Sequence, residues 1–161
     1  MPSGFVHLLL LIIVANGAPV LLRFFLRDRL DTPIDFGAEL PDGRRLFGGS
    51  KTWRGVAGAL LATVAIAVLL GYSAWIGGTV AVFAILGDLI SSFIKRRLGM
   101  RPSSMAPLLD QAPESLLPAL VSMHDFALDD IQVIALVVVF VVVELLLSLL
   151  LYRLGVRSRP Y

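Results

Sequence analysis

The sequence predicts an all-α integral membrane protein, a bundle of five transmembrane helices with two functional cytosolic loops. Three observations carry this expectation. Of 161 residues, 57% are hydrophobic and only 16% charged, with a mean hydropathy of +0.86, a balance foreign to soluble domains. The apolar residues gather into stretches that match a spanning helix, which takes roughly 20 residues. All fourteen Lys and Arg fall between or after those stretches, in clusters that can share one side of a membrane.

The first span, about 5–22, ends in the small residues Ala15, Gly17 and Ala18, as a signal peptide would. It lacks Lys or Arg before the apolar run and has Arg23 after it, the reverse of a cleaved signal, so it is expected to stay. A loop of about 23–54 follows. The second span, about 56–75, leads through an uncharged turn at Gly77 and Gly78 into the third, about 78–94, apolar but for Asp88 and a few hydroxyls. Lys95, Arg96 and Arg97 end it and open the second loop, about 95–112.

The fourth segment, about 113–128, is short, holds Pro118 and starts beside Glu114, so hydropathy alone leaves it re-entrant or interfacial. Charge decides. With the fifth span at about 131–152 and an external N-terminus, the clusters Arg23–Arg54, Lys95–Arg101 and Arg153–Arg159 are all cytosolic. Four spans would leave the tail arginines outside. The external side then holds the acidic stretch of Asp125, Asp129 and Asp130. No repeat or low-complexity tract interrupts residues 1–161, which read as a single polytopic membrane domain.

Without cysteine there is neither a disulfide framework nor a thiolate, and chemistry must come from carboxylates, hydroxyls, amides and cations. A net charge of +2 is too mild to call for nucleic acid, and no such partner is expected. A homo-oligomer is compatible with the sequence but not specified by it.

The chemistry gathers in the two loops. Glycines and charge crowd residues 32–55, where backbone amides can approach an anion and the next helix offers its N-terminus. Ser50-Lys51-Thr52 resembles the end of a P-loop, but Gly is missing where Ser50 stands and no strand precedes it. A basic loop touching anionic headgroups is the simpler alternative. In the third span Asp88, Ser91, Ser92 and Lys95 share one helical face, with Asp88 inside the membrane boundary. A carboxylate there costs about 2.5–3.5 kcal/mol on insertion scales, so it pairs with a cation or metal; an ion pair that only orients helices is the alternative.

Asp110 stands at the cytosolic entry of the fourth span, with Glu114 one turn on. Carboxylates from two helices at one boundary can share Mg²⁺ with substrate phosphates. Asn16, with Pro19 and Arg23, lies on the cytosolic half of the first span, where it binds substrate or another helix. Glu144 falls deep in the last span and is expected to stand apart from the site. His7 and His124 fall on the external side, and Trp53 reads as an interfacial anchor.

Asn16 with Pro19, Pro33-Ile34-Asp35-Phe36-Gly37, Asp42-Gly43-Arg44-Arg45, Lys51-Thr52-Trp53-Arg54-Gly55, Gly87-Asp88 through Lys95-Arg96-Arg97, and Pro107-Leu108-Leu109-Asp110-Gln111 together resemble the CDP-archaeol synthase family. The resemblance runs through nearly the whole chain. That family is similar in turn to the CTP:phosphatidate cytidylyltransferases, whose Ser-x-x-Lys-Arg segment is matched by Ser92 to Arg96. Their later Asp-Arg-x-x-Asp is not, since Asp110-Gln111 stands for Asp-Arg and Glu114 lies near the second aspartate, which leaves the second metal carboxylate open.

The resemblance implies five spans, a cytosolic active site, Mg²⁺, and transfer of CMP from CTP to a membrane-bound lipid phosphate. It implies Asp88 and Asp110 as metal ligands, and Lys95, Arg96 and Arg97 as phosphate-gripping cations. Lys51, Thr52 and Arg54 would close the first loop over the nucleotide, with Asn16, Asp35, Ser91, Ser92 and Gln111 binding substrate. Two rivals stay open: the same reaction on diacyl phosphatidic acid, and a non-enzymatic transporter or assembly factor. A CDP-alcohol phosphotransferase would need a longer aspartate pattern than Asp42-Gly43-Arg44-Arg45 supplies.

Overall fold

A computed structural model describes residues 3–100, 106 and 108–156. Arg101, Pro107, Arg157 and Arg159, part of the expected clusters and motifs, lie outside the described residues. The described chain is all-helical: α1 Ser3–Leu26, α2 Trp53–Leu69, α3 Ala74–Arg97, α4 Gln111–Ser122 and α5 Asp130–Arg153. Helices α1, α3 and α5 are each 24 residues and apolar enough to cross a membrane, with hydropathies of 2.3, 1.8 and 3.2. Their rise of about 36 Å exceeds a hydrocarbon core. α2, with 17 residues, is apolar but shorter, and α4 has 12.

The break between α2 and α3 differs from the expected one. The chain turns at residues 70–73, where Gly71 takes φ +86° and Ser73 caps α3 by accepting from the Ile76 N–H at 3.3 Å. Gly77 and Gly78 are helical. At Gly77 a Cβ would fall 2.6 Å from Ala67 Cβ and 2.9 Å from Val64 Cα. That glycine serves close helix packing rather than a turn, a distinction that composition does not carry. α5 starts with a capping box: Asp129 accepts from the Gln132 N–H at 2.8 Å, and Gln132 accepts from the Asp129 N–H at 3.1 Å.

α3 packs against α1, α2 and α4, and α5 against α4 and α1. The apolar core is confined to one end of the bundle. It is built from Phe5, Leu8, Leu11 and Ile12 of α1, Ala67, Val80, Ala119, Phe126 and Leu128, and Val133, Leu136 and Phe140 of α5. The buried charged residues, with Ser91, Ser92 and Gln111, occupy the other end: Lys95, Arg96 and Glu114 are among them. Outward-facing Leu61, Leu69, Ile134, Val138, Leu146 and Leu150 give the exterior the apolar coat that lipid requires.

The loop between α1 and α2 is ordered by one carboxylate. Asp35 accepts from the N–H groups of Gly37 (3.1 Å), Phe47 (3.1 Å) and Gly48 (2.9 Å) and pairs with Arg45, tying the loop's first half to its second. Burial raises its pKa, but these donors outweigh burial and bring it down to about 2. The tip of the loop is latched to α3 from both sides. Arg97 donates to both Asp42 oxygens at 2.7 Å and to the Arg45 carbonyl at 2.7 Å, while Arg44 donates to the Arg97 carbonyl at 2.5 Å, satisfying the C-terminus of the helix.

Gly87 lets α3 and α4 touch backbone to backbone. A Cβ there would lie 2.2 Å from the Pro113 carbonyl oxygen and 2.7 Å from Glu114 N, whereas at Gly78 it would meet nothing within 4 Å. Gly87→Ala should therefore lose about 1–3 kcal/mol while Gly78→Ala gains up to about 1 kcal/mol, read as opposite shifts in thermal unfolding of the purified protein. Because the folded pKa of Asp35 is depressed, its contribution is complete above the ordinary 3.8 and fades as pH falls from there towards 2. Proteolysis of the loop should accelerate over that window in the parent chain. In Asp35→Ala, which loses about 2–3 kcal/mol of charged hydrogen bonding, it should be fast already at neutral pH.

Candidate active site

At the polar end α1, α3, α4, α5 and the first loop enclose a cleft of about 1020 Å³. Lys51 enters it from the loop, placed by two backbone ties: Ile34 N–H donates to the Lys51 carbonyl at 2.8 Å, and Trp53 N–H to the Thr32 carbonyl at 3.1 Å. Its ammonium is salt-bridged to Asp88 of α3. Burial lowers the Lys51 pKa, but Asp88, Glu114 and Asp110 together outweigh it and raise it above the ordinary lysine value, so this cation stays charged.

Glu114 of α4 lies beside Asp88, near enough for the two carboxyls to interact. The close approach of α3 and α4 at Gly87 makes this contact. Asp110, at the entry to α4, pairs with Lys95 at 2.5 Å. Each carboxylate entering the bundle from α3 or from the start of α4 is thus matched by a lysine or by a second carboxyl.

Asn16, Lys51, Thr52, Arg54, Asp88, Ser92, Lys95, Arg96, Asp110 and Gln111 all line the cleft. Some of them are also engaged in holding the fold. Thr52 caps α2, accepting from Gly55 N–H at 3.2 Å. Arg54 donates to the Arg27 and Arg29 carbonyls and pairs with Asp31 at 2.6 Å. Asn16 donates to the Ile12 carbonyl at 3.1 Å. Asp35, Ser91 and Arg97 are not among the lining residues: Asp35 and Arg97 order the loop, and Ser91 Oγ donates to the Asp88 carbonyl at 2.9 Å.

Glu144, expected to stand apart, lines the cleft and accepts from Gln111 Nε2 at 2.7 Å. The signal was present in the helix register. Asp88 and Glu144 both stand nine residues before the last residues of their helices, Arg97 and Arg153, and so at equal depth. The 12 residues of α4 rise only about 18 Å, which sinks the start of that helix, and Gln111 with it, into the bundle to meet them.

For Mg²⁺ the donor chemistry fits. Among the described residues no three carboxylates or histidines converge on one point, but Asp88 and Glu114 present hard oxygen ligands on the cleft wall, and Mg²⁺ takes one or two carboxylates and completes its shell with water and substrate phosphates. The neighbouring ammonium and guanidinium groups suit a polyanion rather than a neutral ligand.

The model of the CarS-like CDP-archaeol synthase family matches residues 5–77 and 73–161 of the chain. A CDP-archaeol synthase of Thermofilum pendens is 36% identical over 157 residues, covering 92% of this chain and 76% of the relative. One from Sulfolobus acidocaldarius is 33% identical, covering 92% and 91%. Among solved structures, an intramembrane enzyme for archaeal membrane lipids biosynthesis superposes with a TM-score of 0.72 at 31% identity, over 89% of this chain and 91% of that one. The chain belongs to the CDP-archaeol synthase family.

Proposed function

We propose that the chain is a membrane cytidylyltransferase that transfers CMP from CTP to an isoprenoid glycerol-ether lipid phosphate, giving a CDP-archaeol-type lipid and pyrophosphate. The observation that carries this reading is the Lys51–Asp88–Glu114 cluster at the floor of a cation-lined cleft, in a chain of this family. Residues 1–161 act as one polytopic domain of five spans with the N-terminus external and the cleft and C-terminus cytosolic. The clustering of Lys and Arg at the cleft end of the bundle supports that sidedness.

The lipid phosphate oxygen attacks the α-phosphorus of CTP, and pyrophosphate leaves in line. Such a transfer is governed by positioning and charge neutralisation more than by a strong base. Asp88 and Asp110 would hold Mg²⁺, with Glu114 beside Asp88 as a further carboxylate. When bound, Mg²⁺ supplies a Lewis acid that neutralises the triphosphate. Lys51, Lys95 and Arg96 line the cleft and meet phosphate oxygens as point charges and as a fork. Thr52, Ser92 and Asn16 offer hydrogen bonds around them, and the ordered first loop keeps water from the reacting groups. A small apolar pocket between α1 and α5, lined by Ile13, Val20, Leu147 and Leu151 and adjoining the cleft at Asn16 and Glu144, supports a path by which lipid chains stay in the bilayer while the headgroup reaches the cleft.

Pyrophosphate release from CTP, offered geranylgeranyl ether lipid phosphate and diacyl phosphatidic acid in parallel, should be Mg²⁺-dependent and specific to the ether lipid; turnover of the diacyl lipid alone would replace the substrate assignment. Asp88→Asn should cut kcat at least about a hundredfold with normal insertion, and Lys51→Met should raise KM for CTP about tenfold. Parent-like values for either would remove that residue from the site. A C-terminal tag should be reachable only from the cytosolic side, and external labelling would overturn the five-span count.

A further inference from the structure

Gln111 is the hinge pin between the second loop and α5. Its Nε2 donates to Glu144 Oε2 at 2.7 Å and its Oε1 accepts from the Leu108 N–H at 3.0 Å. Its carbonyl accepts from Ser115 Oγ at 2.7 Å. Leu108 has φ +66°, a left-handed conformation for a branched side chain, which costs about 1–2 kcal/mol and persists only where its surroundings impose it. Two residues after this strained position comes Asp110, paired with Lys95, and, one turn on, Glu114 beside Asp88.

Glu144 Oε2 takes the nitrogen end of the Gln111 amide, which leaves Oε1 facing the Leu108 N–H. Gln111 is 6% exposed, leaving its amide little water as an alternative partner. Without Glu144 the Gln111 side chain loses the anchor that holds it from α5, and the Leu108 N–H alone is left to keep Oε1 in place against the strain of the turn.

We propose that Glu144 is a positioning residue: acting through Gln111, it fixes the entry of α4 and with it the placement of Asp110 and Glu114 relative to Asp88. The proposal rests on the reading of the cleft as the transfer site. It gives α5, whose other cleft-lining residues Leu145 and Ser148 carry no charge, a part in the chemistry.

The test uses the full chain in detergent. Because the sequence has no cysteine, a Leu109→Cys substitution places one thiol on the turn, and its maleimide labelling rate reports the order of that turn without any substrate. In the Glu144→Leu and Gln111→Leu backgrounds labelling should quicken about tenfold, and in Glu144→Gln, whose amide oxygen still accepts from Gln111, it should stay within about twofold of the parent. Separately, in the cysteine-free chain, kcat should fall about tenfold or more for Glu144→Leu and for Gln111→Leu, with KM for CTP changed far less, and be rescued in Glu144→Gln. The double variant should be no worse than the poorer single.

Glu144→Gln behaving like Glu144→Leu would overturn the proposal in favour of a direct role for the charge. So would multiplicative losses in the double variant, or a Glu144→Leu chain with parent-like labelling and turnover. Should Glu144→Leu fail to fold, Gln111→Leu against Glu144→Gln decides on the same two readouts. Labelling that follows the expected order in a parent chain that transfers no CMP would refute the function alone and leave the strut standing.

Discussion

The ion pair between Lys51 and Asp88 is the contact on which the polar half of this molecule depends. A carboxylate inside a spanning helix is tolerated only with a counter-charge, and here the counter-charge comes from a loop rather than from another helix. The loop must therefore be ordered before the helix can be comfortable. Asp35 orders the loop, with its fan of backbone donors and Arg45, and the Arg44 and Arg97 latch fastens the tip to the end of the same α3 that carries Asp88. Loop and helix form one electrostatic unit.

Stability and chemistry are segregated along the bundle. Apolar interdigitation is concentrated at the end containing Phe5, Leu8, Phe126 and Phe140, and close helix contacts at Gly77 and Gly87 draw α2, α3 and α4 together. The cleft end holds few apolar contacts and many charges, so its shape is kept by hydrogen bonds and ion pairs. Such an arrangement lets phosphates exchange with internal partners without disturbing the core, since Lys51 and Lys95 already face carboxylate oxygens.

Much of this was legible in the residues. Hydropathy located four of the helices and the distribution of charge the fifth, and the embedded Asp88 was recognisable as a candidate because membrane burial makes isolated charge so costly, whereas Lys51, Lys95 and Asp110 stood out by their place at the same boundary and by the family motifs that hold them. What failed to be legible is instructive. The turn at Gly71 was mistaken for one at Gly77 and Gly78 because glycine breaks a helix and also lets two helices touch, and only the neighbour decides which. Glu144 was set apart because depth was judged from the hydropathy of its own segment, whereas the brevity of α4 brings Gln111 down to its level. The proximity of Glu114 to Asp88 needed the helix–helix approach at Gly87, which no single-helix pattern contains.

The order of the ion pairs along the chain has a consequence for biogenesis. Lys51 is synthesised before Asp88, and Lys95 before Asp110. A ribosome delivering this protein to the bilayer thus makes these two lysines first, and Asp88 and Asp110 each enter with a neutralising partner already at the membrane. The penalty for placing these two carboxylates bare in lipid need not be met in full during insertion. Exchanging the two members of a pair would preserve the final contact while reversing that schedule, so the finished structure records the direction in which it was built.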